Sequence, residues 1–211
     1  MKTYPSIQFS AGLHQAQMQE MHFYVFDKLD GSNLRAEWTR KNGFSKFGTR
    51  RRLLDDSDPI LGSGVKLILD KYGDDLSRIF REQRWNQATA YFEFYGPQSF
   101  VGQHAPDDEH TVTLIDVNVH KKGLVMPNSF VKLFRDVELP NIVHQGPIDE
   151  DFIMRVIDGE IEGVTFEGVV AKASPLNKTP SPVMFKIKTR EWLDRLRGFC
   201  KEDKALFDKL R

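Results

Sequence analysis

Asn42-Gly43 lies between two runs with strand character, residues 34–39 and 44–47. It is the strongest short-range hairpin signal a sequence carries, because the favoured tight hairpin turns need residues that accept positive φ. A hairpin here commits the chain to antiparallel sheet. Further aromatic and β-branched runs predict strands over 22–26, 88–95, 111–120, 164–173 and 183–188. Apolar residues Val65, Ile68, Leu69, Leu76, Ile79 and Phe80 recur at helical spacing over about 64–84, predicting a helix interrupted near Gly73. Shorter helical patterns follow over 129–135 and 149–157. From Arg190 the tail is amphipathic, with Trp192, Leu193, Leu196, Phe199, Leu206, Phe207 and Leu210 on its apolar side. Strands and helices do not alternate strictly, so the fold class is α+β, with antiparallel sheets and flanking helices.

Of the 211 residues, 40% are hydrophobic and 16 are Phe, enough for one good core and too apolar for a disordered chain. The formal net charge is zero. That argues against coating nucleic acid by bulk attraction and leaves open a local grip on a few phosphates. Cys200 is the single cysteine, which excludes an internal disulfide framework, and its place beside Leu193, Leu196 and Phe199 predicts burial. The six histidines (14, 22, 104, 110, 120 and 144) show no helical metal-ligand pair. His104 and His110 flank Pro106-Asp107-Asp108-Glu109, which reads as an exposed loop and not a zinc site. No repeat, low-complexity tract, signal peptide or membrane-length apolar run is present in the sequence, so a soluble cytoplasmic monomer is the expectation.

Chemistry concentrates in three places. Lys28-Leu29-Asp30-Gly31-Ser32-Asn33 follows directly on a buried strand. Its bland reading is a strand end with an Asp-Gly turn. Its functional reading is a nucleophilic lysine, its pKa brought down from about 10.4 by neighbouring cations and partial desolvation. Gly31 would then let a nucleotide approach the backbone. Glu167-Gly168-Val169-Val170-Ala171-Lys172 lies within a predicted strand, where an edge-strand glycine is the structural alternative. Phe185-Lys186-Ile187-Lys188 puts two lysines on one strand face, either as a solvated face or as a paired positive site.

These three motifs, with Glu93-Phe94-Tyr95-Gly96 between them, resemble in their order the covalent nucleotidyltransferase superfamily of DNA ligases, RNA ligases and mRNA capping enzymes. The resemblance runs from about Phe23 to Lys188. Asn33 stands where DNA ligases and capping enzymes usually carry arginine, which makes the chain most similar to ATP-dependent RNA ligases of the phage type-2 class. The family also has an arginine after the following hairpin, matched by Arg50 with Arg51 and Arg52 as rivals. Leu114-Ile115-Asp116-Val117 matches a short strand that ends in an apolar residue and Asp.

The resemblance implies an adenylation-domain fold with the nucleotide in a groove between the sheets. It implies that Lys28 forms a lysyl-AMP intermediate from ATP, passes AMP to a 5′-phosphate, and seals that end to a 3′-hydroxyl. Lys186 and Lys188 would stabilise charge on the α-phosphate and lower the Lys28 pKa. Glu167 would hold Mg2+ or Mn2+. Glu93 would take the ribose hydroxyls, with a cross-strand ion pair as its structural alternative. Ile115 and Val170 would sandwich the adenine, Asp27 and Asp30 would complete the ATP-binding set, and Asn33 and Arg50 would receive the nucleic-acid end. Partners are then ATP and RNA ends or a nicked duplex. Residues 1–211 are expected to form one such domain, with 189–211 a helical tail and no oligonucleotide-binding barrel, either as a minimal ligase or as a domain cut from a longer one. A minimal DNA ligase or a non-catalytic end-binding module is the alternative, and a capping guanylyltransferase fits Asn33 less well.

Overall fold

The protein is described from a computed structural model covering residues 1–9, 15–55, 57–58, 61–97, 109–177, 179, 181–201 and 203–211. The chain enters through helix α1 (Gln15–Glu20) and strand β1 (Phe23–Asp27). Strands β2 (Ser32–Thr39), β3 (Gly43–Thr49) and β4 (Leu53–Leu54) follow, then helix α2 (Gly62–Glu82). Next come β5 (Gln87–Tyr95), β6 (Thr111–Val119), β7 (Gly123–Leu124), α3 (Pro127–Leu133), β8 (Ile142–Gly146) and α4 (Glu150–Ile157). Strands β9 (Gly168–Ala173) and β10 (Val183–Lys188) precede the closing helices α5 (Arg190–Cys200) and α6 (Lys204–Leu210).

The strands form two antiparallel sheets, one of six strands ordered β4-β3-β2-β5-β6-β7 and one of four ordered β10-β9-β1-β8. Period-two alternation sorts their faces. On the six-stranded sheet Leu34, Ala36, Trp38, Ala88, Ala90, Phe92, Phe94, Leu114 and Val117 share one apolar face, which packs in a common core with Ile68, Tyr72, Leu76 and Phe80 of α2. On the four-stranded sheet Phe23, Val25, Val169, Ala171, Phe185 and Ile187 pack with Phe152 and Val156 of α4. The opposite faces carry Arg35, Glu37, Tyr91 and Asp116 on one sheet and Lys172 and Lys188 on the other. The buried pair Lys172 Nζ–Asp116 Oδ2, at 2.8 Å, joins the two. Helices therefore cover the outer faces, and a polar space remains between the sheets.

The hairpin forms as expected, with Thr39 opposite Gly43 and Gly43 at φ 66°. Four expectations are corrected. Helix α2 runs unbroken through Gly73, because its buried stripe from Gly64 to Phe80 continues at helical spacing on both sides of that residue. The strand expected over 164–173 begins only at Gly168, since Thr165 is held by Asp27 through its amide (3.0 Å) and its hydroxyl (2.9 Å). The tail is two helices, broken where Lys201 adopts φ 53° and restarted by the Asp203 cap. Cys200 is buried with Trp192 and Leu196 as expected, whereas Phe199 is 57% exposed. Helix α1 and strands β4, β7 and β8 were not foreseen; the three strands lie at sheet edges, where half-exposed side chains give weak periodicity.

A Cβ at Gly73 would meet only Leu69 Cδ2, at 3.9 Å. Gly73→Ala should therefore stabilise the protein by about 0.5–1 kcal/mol, the difference in helix propensity between the two residues. Denaturant unfolding checks this, and a loss of stability would show that the glycine is required where it stands.

Candidate active site

A cavity of about 830 Å3 occupies the space between the sheets, within the size range of small-molecule sites. Asp27, Lys28, Asp30, Asn33, Arg50, Glu93, Ile115, Glu167, Val170, Lys186 and Lys188 all line it. Residues separated by up to 161 positions in sequence are thus brought to one wall system by the pairing of β1 with β9, β9 with β10 and β2 with β5.

Glu167 is the hub. Its Oε2 lies 2.6 Å from Lys28 Nζ and its Oε1 lies 2.6 Å from Lys188 Nζ. Backbone bonds hold the three in register: the Lys28 amide donates to Gly168 O (2.8 Å), and the Thr189 amide donates to Glu167 O (3.1 Å). Thr189 also caps α5, accepting from the Trp192 amide. Trp192 then returns to the site, donating from Nε1 to Asp30 Oδ2 at 3.2 Å and placing its ring 3.2 Å from Lys188 Nζ.

This geometry corrects the expected charge state of Lys28. Burial alone would lower its pKa, but the carboxylates of Glu167, Glu93 and Asp30 outweigh it and hold the ammonium above its ordinary range. Lys188 moves the other way: burial, with the nearby Lys28 charge, brings it down to about 8 against the pull of Glu167. Lys186 is lowered as well, by burial and by Lys28. Lys188 is only 4% exposed, so the reading of Lys186-Ile187-Lys188 as a solvated face fails for its second lysine.

Both motif glycines answer to the protein's own backbone. A Cβ on Gly31 would stand 2.3 Å from Phe94 O, and one on Gly168 would stand 2.1 Å from Ile187 O. Gly168 also takes φ +135°, and its strand is central in the sheet, so the edge-strand reading does not apply. Close strand contact is reason enough for Gly31.

The remaining residues divide by wall. Val170 of β9 and Ile115 of β6 face the cavity from different sheets. Ile115 does so because it is the extra residue where the β5–β6 register shifts, with Tyr91 opposite Asp116 and Phe92 opposite Leu114. Glu93 has Asn33 and Thr113 as its cross-strand neighbours, neither of them a cation, which removes the ion-pair reading. Asn33 donates to Phe92 O at 3.3 Å, and its buried Oδ1 has no hydrogen-bond partner. Arg50 and Arg51 both line the cavity from the turn that Thr49 closes, while Arg52 is drawn off to Asp58 at 2.5 Å. Asp27 spends both oxygens on Thr165. His110 stacks on Phe94, and His14, His104 and Pro106-Asp107-Asp108 lie outside the described residues.

Three contributions were not read from the sequence. Lys172 stands in the Glu167-to-Lys172 run but received no role; its Nζ donates to Ile115 O (2.7 Å) and Asp116 Oδ2 (2.8 Å), and Tyr4 donates to the same carboxylate oxygen (2.7 Å). The N-terminal segment lines the cavity through residues such as Tyr4, Gln8 and Phe9, and the end of α6 does so through Asp208 and Lys209. Trp192 was read as core alone. Only the Lys172 position carried a usable signal, a charged residue in an otherwise apolar strand.

The Glu93 carboxyl is pushed up to about 7, chiefly by burial, with Glu167 and Asp30 adding to the rise and Lys28 opposing it. Its folded pKa lies above the unfolded value of about 4.3, so its contribution to stability is complete below that value and is lost as pH rises through 7. Glu93→Gln should therefore stabilise the ligand-free protein at pH 8, by about 1–2 kcal/mol once solvent screening is allowed for. The gap should shrink toward zero as the pH falls to about 4. Thermal unfolding across that range checks it, and a less stable variant at pH 8 would mean that the carboxylate supports the ligand-free fold.

The sequence matches no protein-family model, and no curated protein matches it. Solved structures do match. Naegleria gruberi RNA ligase, in a mutant form with ATP and Mn, superposes with a TM-score of 0.65 at 18% identity, over 92% of this chain and 58% of that one. The same ligase with PPi gives 0.64 at 17% identity, over 92% and 58%. An archaeal ATP-dependent RNA ligase gives 0.65 at 18% identity, over 95% and 52%. The chain thus spans a little over half the length of the structures it matches. It shares its fold with RNA ligases, an archaeal ATP-dependent enzyme among them.

Proposed function

We propose that this chain is an adenylyltransferase domain of the nucleotidyltransferase fold, and that it acts as an ATP-dependent RNA ligase through a covalent AMP on Lys28. The observation that carries this reading is the Lys28–Glu167–Lys188 assembly, set in a cavity whose walls also hold Glu93, Ile115, Val170, Asn33, Arg50 and Lys186.

In the first step Lys28 Nζ bonds to the α-phosphorus of ATP as the bond to pyrophosphate breaks. In the second a 5′-phosphate oxygen of the nucleic acid attacks that phosphorus and Lys28 Nζ leaves. In the third a 3′-hydroxyl attacks the activated 5′-phosphorus and AMP departs. Lys28 must be neutral to begin. Its ammonium is held by Glu167, and once that carboxylate is engaged elsewhere, burial and the charges of Lys186 and Lys188 all favour the neutral amine. The same two lysines then stabilise the charge that gathers on the α-phosphate.

Among the described residues no three His, Cys, Asp or Glu side chains are grouped to hold an ion by themselves. Glu167 fits as one oxygen ligand of a hard cation that keeps water and phosphate oxygens, as Mg2+ does. When bound there, Mg2+ or Mn2+ supplies neutralising charge to the phosphates. Glu93 offers its carboxyl to the ribose, Ile115 and Val170 clasp the adenine from two sheets, and Asn33 with Arg50 receives the end phosphate. Asp30, raised to about 6 by burial and by Glu167, orders the Lys28 loop through Trp192. Asp27 serves the ATP set from behind, by fixing the loop that carries Glu167.

Two measurements test this. Lys188→Ala should slow adenylylation by about 100–1000-fold with the fold intact by circular dichroism; an unchanged rate removes Lys188 from the chemistry. On matched nicked duplexes with 5′-phosphate and 3′-hydroxyl ends, sealing should favour a ribose 3′ strand over a deoxyribose one by about tenfold or more, since the 2′-hydroxyl is the distinguishing handle. Equal sealing would remove the RNA preference, and faster sealing of the deoxyribose strand would make the chain a DNA ligase instead.

A further inference from the structure

A second polar pocket opens on the same face of the six-stranded sheet. Strand β5 presents Glu93 to the main cavity and Thr89, four residues earlier and so roughly 13 Å away, to a pocket of about 550 Å3. Residues 1–4 run between the two, tied down by Tyr91 to Lys2 O (3.1 Å) and by Arg35 to Met1 O and Thr3 Oγ1 (3.1 Å each).

Asn118 pairs with Thr89 in register and lines this pocket. It is 5% exposed, and its amide nitrogen Nδ2 has no hydrogen-bond partner. A buried donor without an acceptor costs about 1–3 kcal/mol. An apolar residue at that position would avoid this penalty. Around the pocket stand the exposed side chains of Lys2, His120, Lys121 and Lys122. Lys121 adopts φ 64°, a conformation that favours glycine or asparagine, yet the position carries a cation. Glu37 is the one carboxylate among the described lining residues, and its charge is already taken. The Met1 amine lies at 3.2 Å, Gln87 Nε2 at 3.1 Å and Lys46 at 3.4 Å. The charge left over is positive, and the unsatisfied group is a donor.

We propose that this pocket binds a phosphate oxyanion, which accepts a hydrogen bond from Asn118 Nδ2 and is held by Lys121 and Lys122. Its source is a backbone phosphate of the polynucleotide whose end reaches Lys28. That second clause rests on the ligase reading; the anion site itself does not. The exposed lysines suit a ligand that stays partly in water, and roughly 13 Å corresponds to about four base steps along a strand. The strand reaches the pocket around the outside of residues 1–4.

The test uses 15N-labelled protein, with the Asn118 side-chain amide signals assigned by their loss in Asn118→Asp. Inorganic phosphate and a 5′-phosphorylated RNA duplex are titrated in separate arms, and both should move those signals. The surface double variant Lys121→Ser, Lys122→Ser should bind the duplex about tenfold more weakly and lower the salt slope of binding by about 1, while adenylylation by ATP is unchanged. Movement with phosphate alone supports the oxyanion site and assigns it to the free ion, overturning the backbone source. No movement with either, with duplex affinity unchanged in the double variant, overturns the site. If ATP leaves Lys28 unlabelled the ligase reading falls, and the phosphate arm still decides the pocket.

Discussion

One carboxylate, Glu167, holds two lysine ammonium groups at 2.6 Å each, and the arrangement of the cavity depends on it. Removing charges from water is expensive, and a buried ion pair is tolerated only where geometry and further contacts compensate. Here the compensation is explicit. Strand β9 places Glu167 beside its partners, Gly168 allows β10 to approach within what would otherwise be a clash, and the Lys28 amide is pinned to Gly168 O. Trp192 closes the far side of Lys188. Backbone contacts thus set the position of each charged group before any ligand arrives.

The surroundings of Lys28 hold several groups away from their ordinary charge states. Three carboxylates crowd Lys28, and two of them, Asp30 and Glu93, are raised to about 6 and about 7. Lys188 is brought down to about 8. Asp30 and Glu93 resist ionisation and Lys188 resists protonation, while the Lys28 ammonium is held by Glu167, so the charge balance of the site is open to change by a charged ligand. Under the proposed function, a polyphosphate with its cation would be that ligand. The buried Lys172–Asp116 pair, with Tyr4 on the same carboxylate, holds the two sheets at a fixed spacing and keeps the cavity open.

The inner architecture was legible because its signals were strong. The Asn42-Gly43 turn, the aromatic run into Lys28 and the long apolar stripe of α2 each gave one reading, and the order of the motifs named residues that the fold brings to one cavity. Glycine at 73 misled, since tertiary burial on both sides of it overrode local propensity. Edge strands such as β7 and β8 were silent because half-exposed positions blur period two. The charge state of Lys28 was not legible at all. It depends on which carboxylates fold next to it, and Glu93 and Glu167 lie far along the chain. The bulge that aims Ile115 inward and the return of Trp192 to Asp30 are likewise properties of pairing and not of composition. The two arginines that line the cavity, Arg50 and Arg51, were separated from Arg52 only by the ion pair of Arg52 with Asp58.

The most direct measurement is the intact mass of the purified chain after incubation with ATP and Mg2+, followed by peptide mapping. A covalent adenylyltransferase should gain the mass of one adenylyl group, carried by the peptide containing Lys28 and absent in Lys28→Ala. Folded, initially unmodified protein that gains no adenylyl group, or that carries it on another residue, would contradict it.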